Sequence, residues 1–374
     1  MPNISSAPPS GARHPIFNPE ERDPTWGDFS QEEVRLANRN SGTLLETLRH
    51  DVTPRGLHYL LTHFDVPYVP AANDWMLVIG GCVERPLTLT LDELKRRQNR
   101  TLRITMECAG NGRAAMTPRR PTQPWLHEAV GTAEWTGTPL KPLLESAGLA
   151  AKAHDVVFFG RDRGFDRGIE HDYGRSLSPE QALGDDILLS WAMNGAELPP
   201  QHGFPLRLVV PGWYGMASVK WLDRITVLDH AFDGHQQVGS YIYREHPDAP
   251  GVPVTAMRVK SLMVPPGVPD FYSRHRLVER GTVQIFGRAW SGGGVPIVKV
   301  EAGVDGHWHD ARLDASTGRY AWRGWQFDWD ATPGEHDLMC RATDGNGDTQ
   351  PVEQRFDCGG FGNNAAHRIR VTVR

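Results

Sequence analysis

The feature that most constrains this chain is a break in its texture near residue 250. Beyond it, helix-start signals disappear and short alternating runs recur at Thr282–Trp290, Ile297–Val304, Tyr320–Trp329, His336–Ala342 and His367–Val373. Turn sequences at Asp305-Gly306, Pro333-Gly334 and Asp344-Gly345-Asn346-Gly347 separate several of them. Alternation of period two puts one face of each run inside. Several such strands at this spacing predict a β-sandwich over 251–374. Pro247, Pro250, Pro253, Pro265, Pro266 and Pro269 mark the crossing into it.

Before the break the signals are mixed. Thr90-Leu91-Asp92-Glu93 and Ser178-Pro179-Glu180-Gln181 have capping-box spacing and predict short helices. Asp74–Ile79, Thr101–Met106, Asp155–Phe159, Leu206–Val210 and Val219–Val227 read as strands, and Ile187–Leu198 as a hairpin turning on Asn194-Gly195. The expected fold class is therefore α+β. It comprises a Pro-rich arm over 1–30, a mixed α/β domain over 31–250 and a β-sandwich over 251–374.

Composition narrows the function. Among 374 residues, 40 Lys+Arg stand against 45 Asp+Glu, a net charge of −5. That balance argues against a nucleic-acid or acidic-membrane surface. No apolar run approaches a membrane span, and the N-terminus lacks a basic-then-apolar leader. The expected location is cytoplasmic, or periplasmic if an export signal has been removed. The four cysteines, Cys82, Cys108, Cys340 and Cys358, are far apart and form no C-x-x-C. Free thiols are expected.

Two segments carry chemistry. In Met106-Glu107-Cys108-Ala109-Gly110-Asn111-Gly112-Arg113 a thiol ends a strand and glycines let backbone approach a ligand. From the residues alone, a buried cysteine before a tight turn is the commoner reading, since free Cys usually behaves as a small hydrophobe. In the second, His202, Arg207 and Lys220 bracket a strand flanked by Gly/Pro loops. That arrangement suits a phosphate-bearing cofactor, or is a strand with basic ends. His307-Trp308-His309 has no third ligand nearby and reads as a solvated hairpin. Trp322, Trp325 and Trp329 read as sandwich core and interface. Gly292-Gly293-Gly294 has no phosphate-loop context.

Together these segments resemble the sulfite oxidase family of molybdenum-cofactor enzymes. The resemblance runs from about residue 44 to the C-terminus. It is carried by Leu61-Thr62-His63-Phe64-Asp65-Val66-Pro67, the Cys108 segment, Asp155–Asp162, Met193-Asn194-Gly195, His202-Gly203-Phe204-Pro205, Ser218-Val219-Lys220-Trp221, Ala289–Gly294 and Asn363–His367. The resemblance implies a molybdopterin-binding domain followed by an immunoglobulin-like dimerisation domain, hence a homodimer. It implies Cys108 as the protein ligand of molybdenum, with thiolate the soft anion such a metal takes. Tyr59, His63, Asp162, His202, Arg207, Ser218 and Lys220 fall on positions holding the pterin and its phosphate. Tyr241, Trp125 and Arg113 fall on the substrate pocket.

The implied reaction is oxygen-atom transfer, sulfite to sulfate, with molybdenum–molybdopterin as cofactor, no haem in this chain and a separate electron acceptor. Two pocket arginines of the family are replaced, by Leu61 and Val295, so a less anionic substrate is the alternative; Gly112 stands for a further family arginine, and Arg113 keeps the one beside it. A metal-free thiol enzyme using Cys108, or a non-catalytic scaffold, would be the reading if the protein bound no metal.

Overall fold

The computed structural model describes residues 30–374. The arm predicted over 1–30 thus lies, but for Ser30, outside the described residues. Ser30 instead caps an unpredicted helix, Gln31–Arg39: its side chain accepts from Glu33 N while the Glu33 carboxylate accepts from Ser30 N. The capping boxes at Thr90 and Ser178 are both present, opening Leu91–Lys95 and Pro179–Ala182.

Two sheets build the first region. One orders its strands as Leu87–Thr90, Met76–Gly81, Leu222–Leu228, Asp155–Asp166 and Ile169–Leu177. The second runs from Arg100–Glu107 through Val130–Pro139 to Leu188–Met193, which also pairs with Ala196–Glu197 and Arg207–Val209. Val156, Val157 and Phe158 are all buried, so this strand is covered on both faces and reads as a continuous apolar run. The Asn194-Gly195 turn has φ +52 and +74, as a type I′ hairpin requires. The strand expected from Val219 begins only at Leu222, because Trp221 takes φ +50 and interrupts extension.

Beyond residue 250 two sheets face each other. A four-stranded one orders Lys260–Met263, Gly281–Trp290, Arg323–Ala331 and Arg312–Leu313. A six-stranded one orders Val268–Pro269, Arg276–Val278, His367–Val373, Gly334–Asp344, Ile297–Val304 and His307–Asp310. Met263, Ile285, Val300, Trp325, Leu338, Cys340 and Val371 fill the space between them. The fold is α+β, with no α-helix among the described residues of this part.

The two parts meet across a buried polar seam. Lys260 Nζ lies 2.9 Å from Glu107 Oε1, both side chains 2% exposed. Trp290 Nε1 donates to Glu107 Oε2, and Lys260 also donates to Asn363 O. Trp322 is buried at the same seam, its indole donating to Asp51 O, while Trp325 and Trp329 belong to the sandwich core. His307 and His309 are exposed, and no metal-ligand cluster occurs among the described residues. The four cysteines are free.

Candidate active site

The strand Arg100–Glu107 ends by delivering Cys108 into a tight turn, in which Asn111 N donates to Cys108 O. Asn111 holds that turn twice over, donating to Glu107 Oε1 and accepting from Ala129 N. The Arg113 guanidinium folds back over the turn, so close that a Cβ on Gly110 would fall 2.7 Å from it. Gly112 takes φ +91, and a Cβ there would lie 3.1 Å from Asn363. An L side chain at Gly112 is strained and crowded, which accounts for one of the replaced arginines.

Cys108 opens onto a cavity with about 630 Å³ of space between atoms. Tyr59, His63, Asp162, His202, Arg207, Ser218, Lys220 and Tyr241 share its wall, although they come from five separate segments of chain. Leu61 lines it too; Arg113, Trp125 and Val295 do not. Asp162 sits at a register shift between Asp155–Asp166 and its neighbour Ile169–Leu177, which turns its carboxylate inward. Tyr241 takes φ +51, a region costing a non-glycine residue about 1–3 kcal/mol and commonest where function over-determines the backbone.

The electrostatics of this cavity are unbalanced. Lys220 Nζ donates only to the carbonyls of Leu61 and Gln201, and Arg207 to those of His202, Leu208 and Ser218 and to the Met106 sulfur. Burial, reinforced by Arg207, pushes the Lys220 ammonium down to about 7. Burial also lowers Arg207 to about 10 and raises Asp162 to about 6. Desolvation by the surrounding cavity wall, and then Lys220, lowers His63 to about 4, which favours the neutral imidazole. His63 Nε2 and the Tyr241 hydroxyl share a hydrogen bond of 2.8 Å. Burial raises the Cys108 thiol, with Arg113 opposing. The Trp125 indole N–H has no partner of hydrogen-bonding geometry, yet lies near enough to the thiol to favour its anion.

These residues fit a large anionic cofactor. Two cations on the cavity wall, Arg207 buried and Lys220 part-buried, donate only to neutral acceptors, while Asp162 Oδ1 and His58 Nε2 are buried without any partner. Buried polar groups are ordinarily satisfied, so orphans converging on one cavity mark a ligand's place. A thiol at the same cavity adds the donor a soft metal needs.

Sequence reasoning missed His58 and Tyr173, which also line this cavity. It also missed Glu107 and Lys260, 153 positions apart, whose pairing nothing local announces.

The comparisons with known proteins agree with this geometry. Residues 63–236 match the family described as the oxidoreductase molybdopterin binding domain, and residues 252–374 the Mo-co oxidoreductase dimerisation domain. Human mitochondrial sulfite oxidase is 33% identical, over 86% of this chain and 62% of that protein. Gallus gallus sulfite oxidase is 34% identical over 80% of this chain and 68% of its own length. An NADH nitrate reductase of Solanum lycopersicum is 29% identical over 93% of this chain and 42% of that protein. The solved structure of the sulfane dehydrogenase SoxCD from Paracoccus pantotrophus superposes with a TM-score of 0.77 and 26% identity, covering 96% of this chain and 90% of that one. This chain spans 62% of the length of its human relative.

Proposed function

This chain belongs to the sulfite oxidase family of molybdopterin-binding oxidoreductases, and on that premise we propose that it oxidises sulfite to sulfate with a molybdenum–molybdopterin cofactor. The observation that carries the reading is the single cavity joining the Cys108 thiol to two under-neutralised cations and the His63–Tyr241 pair. When bound, the cofactor supplies two-electron oxygen-atom chemistry; overall, sulfite and water give sulfate, two protons and two electrons. Lys220 and Arg207 would hold its phosphate, with Ser218 beside them, while Asp162, His58, His63, His202 and Tyr59 would meet its polar ring. Cys108 would be the metal's ligand. Its buried thiol is reluctant to ionise alone, so binding expels a proton that the metal's charge makes favourable. Tyr241 Oη, bonded to a neutral imidazole, holds a proton beside the reacting sulfur oxyanion.

The metal-free thiol reading is disfavoured by the same cysteine. A nucleophilic thiol needs a lowered pKa, and burial here raises it. Leu61 on the cavity wall favours a second reading, the same chemistry on a less anionic substrate. We place the electron acceptor in another protein or small molecule, the assembly as a homodimer, and the enzyme in the cytoplasm, or in the periplasm if a leader has been removed. No helix among the described residues is long and apolar enough to cross a membrane.

The test is elemental analysis with sulfite-dependent dye reduction. About one molybdenum per chain and turnover lost in Cys108→Ser, with pterin still bound, are expected. Substantial turnover in that variant would remove Cys108 from its role.

A further inference from the structure

Tyr241 has a second side. Away from the cofactor cavity it forms one wall of another, lined by Arg120, Arg167, Arg244, Ser240, Cys358 and Phe361 among others, with about 630 Å³ of space between atoms. The Phe361 ring packs on Tyr241 at 5.1 Å and under the Arg113 guanidinium at 4.9 Å. Arg113 in turn lies on the Cys108–Gly110 turn and donates to Gly360 O. The second cavity therefore reaches the reacting end of the site through Tyr241 and Arg113.

Its charge is strongly one-sided. Arg120 spends one N–H on Cys358 O, and among the described residues neither Arg120 nor Arg244 has a carboxylate at ion-pair distance. Arg244 Nε is buried with no partner at all. Arg167 has only Asp166 at 4.0 Å, a carboxylate already bonded to His235. Asp357 is the other acid nearby, and both its oxygens are taken by the backbone N–H groups of Arg244 and Phe361. Three guanidiniums from three separate loops thus converge with fork donors to spare. Such an arrangement fits tetrahedral or pyramidal oxyanions, to which arginine donates in pairs.

We propose that Arg120, Arg167 and Arg244 form an oxyanion docking site on the outer side of Tyr241, where a doubly charged sulfur oxyanion is gathered before it passes to the cofactor cavity. They supply the positive charge that Leu61 and Val295 do not. The inference rests on the function proposed above for its chemistry, but its binding test does not. It also removes the reason for a less anionic substrate: the arginines have moved, and the charge preference has stayed.

Inorganic sulfate is the probe, because its sulfur is already fully oxidised and cannot turn over. Calorimetric titration of the full chain should show sulfate binding that weakens about tenfold in Arg244→Gln and in Arg167→Gln, the loss of one charge-assisted bond apiece. Arg167 is exposed and makes no bond that the fold needs, so its variant tests the idea even if Arg244→Gln folds poorly. In the molybdenum-loaded enzyme the KM for sulfite should rise about tenfold in each variant while kcat falls less than twofold. Sulfate binding lost in the variants of a protein that retains no molybdenum supports this site and overturns the proposed function. Sulfite turnover whose KM is indifferent to both substitutions, or sulfate binding equal in all three proteins, overturns this site and leaves the function standing.

Discussion

Two lysines enclosed by this fold, Lys260 fully and Lys220 in large part, have opposite surroundings. Lys260, at the seam with the sandwich, faces the Glu107 carboxylate at 2.9 Å and two backbone carbonyls besides. Lys220, in the cofactor cavity, donates only to carbonyls; Arg207 repels it, and Asp162, not hydrogen-bonded to it, offsets only part of that repulsion. Both pay the desolvation penalty of a buried charge, and only one is compensated by protein. The difference separates a structural ion pair from a binding residue: where the chain neutralises its own charge the interaction builds the fold, and where it does not, something else must arrive.

The comparison is broken most severely at the seam. Lys260→Met leaves Glu107 buried without its cation, and chemical denaturation should show about 3–5 kcal/mol of lost stability. A loss below about 1 kcal/mol would mean that Trp290 and Asn111 alone satisfy the carboxylate. Adding Glu107→Gln to that variant removes the stranded charge, and the double variant should recover about 1–3 kcal/mol in a double-mutant cycle. No recovery would place the seam's stability in packing rather than in charge.

At the other lysine the expectation reverses. Lys220→Met should shift the unfolding free energy of the cofactor-free protein by less than about 1.5 kcal/mol, since relief of a buried charge and loss of its two carbonyl bonds oppose each other. The same variant should copurify with little pterin, assayed by fluorescence of the oxidised, released cofactor. Full pterin retention would show that Lys220 is not its phosphate partner.

The smallest expected effect is in pH. The folded-state pKa of Lys220, about 7, lies below that of the free side chain. Between pH 7 and roughly 10.4 the unfolded chain keeps a proton that the folded one has shed, so stability from this group rises with pH in that window. Cofactor-free wild type should gain on Lys220→Met by about 1 kcal/mol or more from pH 7 to 9, read from denaturation midpoints. A flat difference would mean that Lys220 stays charged on folding.

Much of this was legible in advance because it is local. The capping boxes at Thr90 and Ser178, the Asn194-Gly195 hairpin and the alternating strands from Gly281 onward depend on neighbours within a few residues. So does the strand that ends at Cys108. Cavity residues such as His63, Asp162, His202 and Lys220 were found through short segments whose order and spacing resemble the family, not through any local physics of their own. The helix at Gln31–Arg39 was missed inside a Pro-rich context, although Ser30 and Glu33 carry the capping-box spacing.

What the sequence by itself determined is the set of elements and the chemistry available at their ends: an α+β chain with a thiol after one strand, cations around another and a sandwich to follow. Only the tertiary structure decided which charges meet. It set Glu107 against Lys260, left Lys220 and Arg207 without a hydrogen-bonded anion, removed Arg113 and Val295 from the cofactor cavity, and gathered Arg120, Arg167 and Arg244 behind Tyr241. Electrostatic energy depends on separation and burial in space, and neither is written in the spacing of residues along the chain.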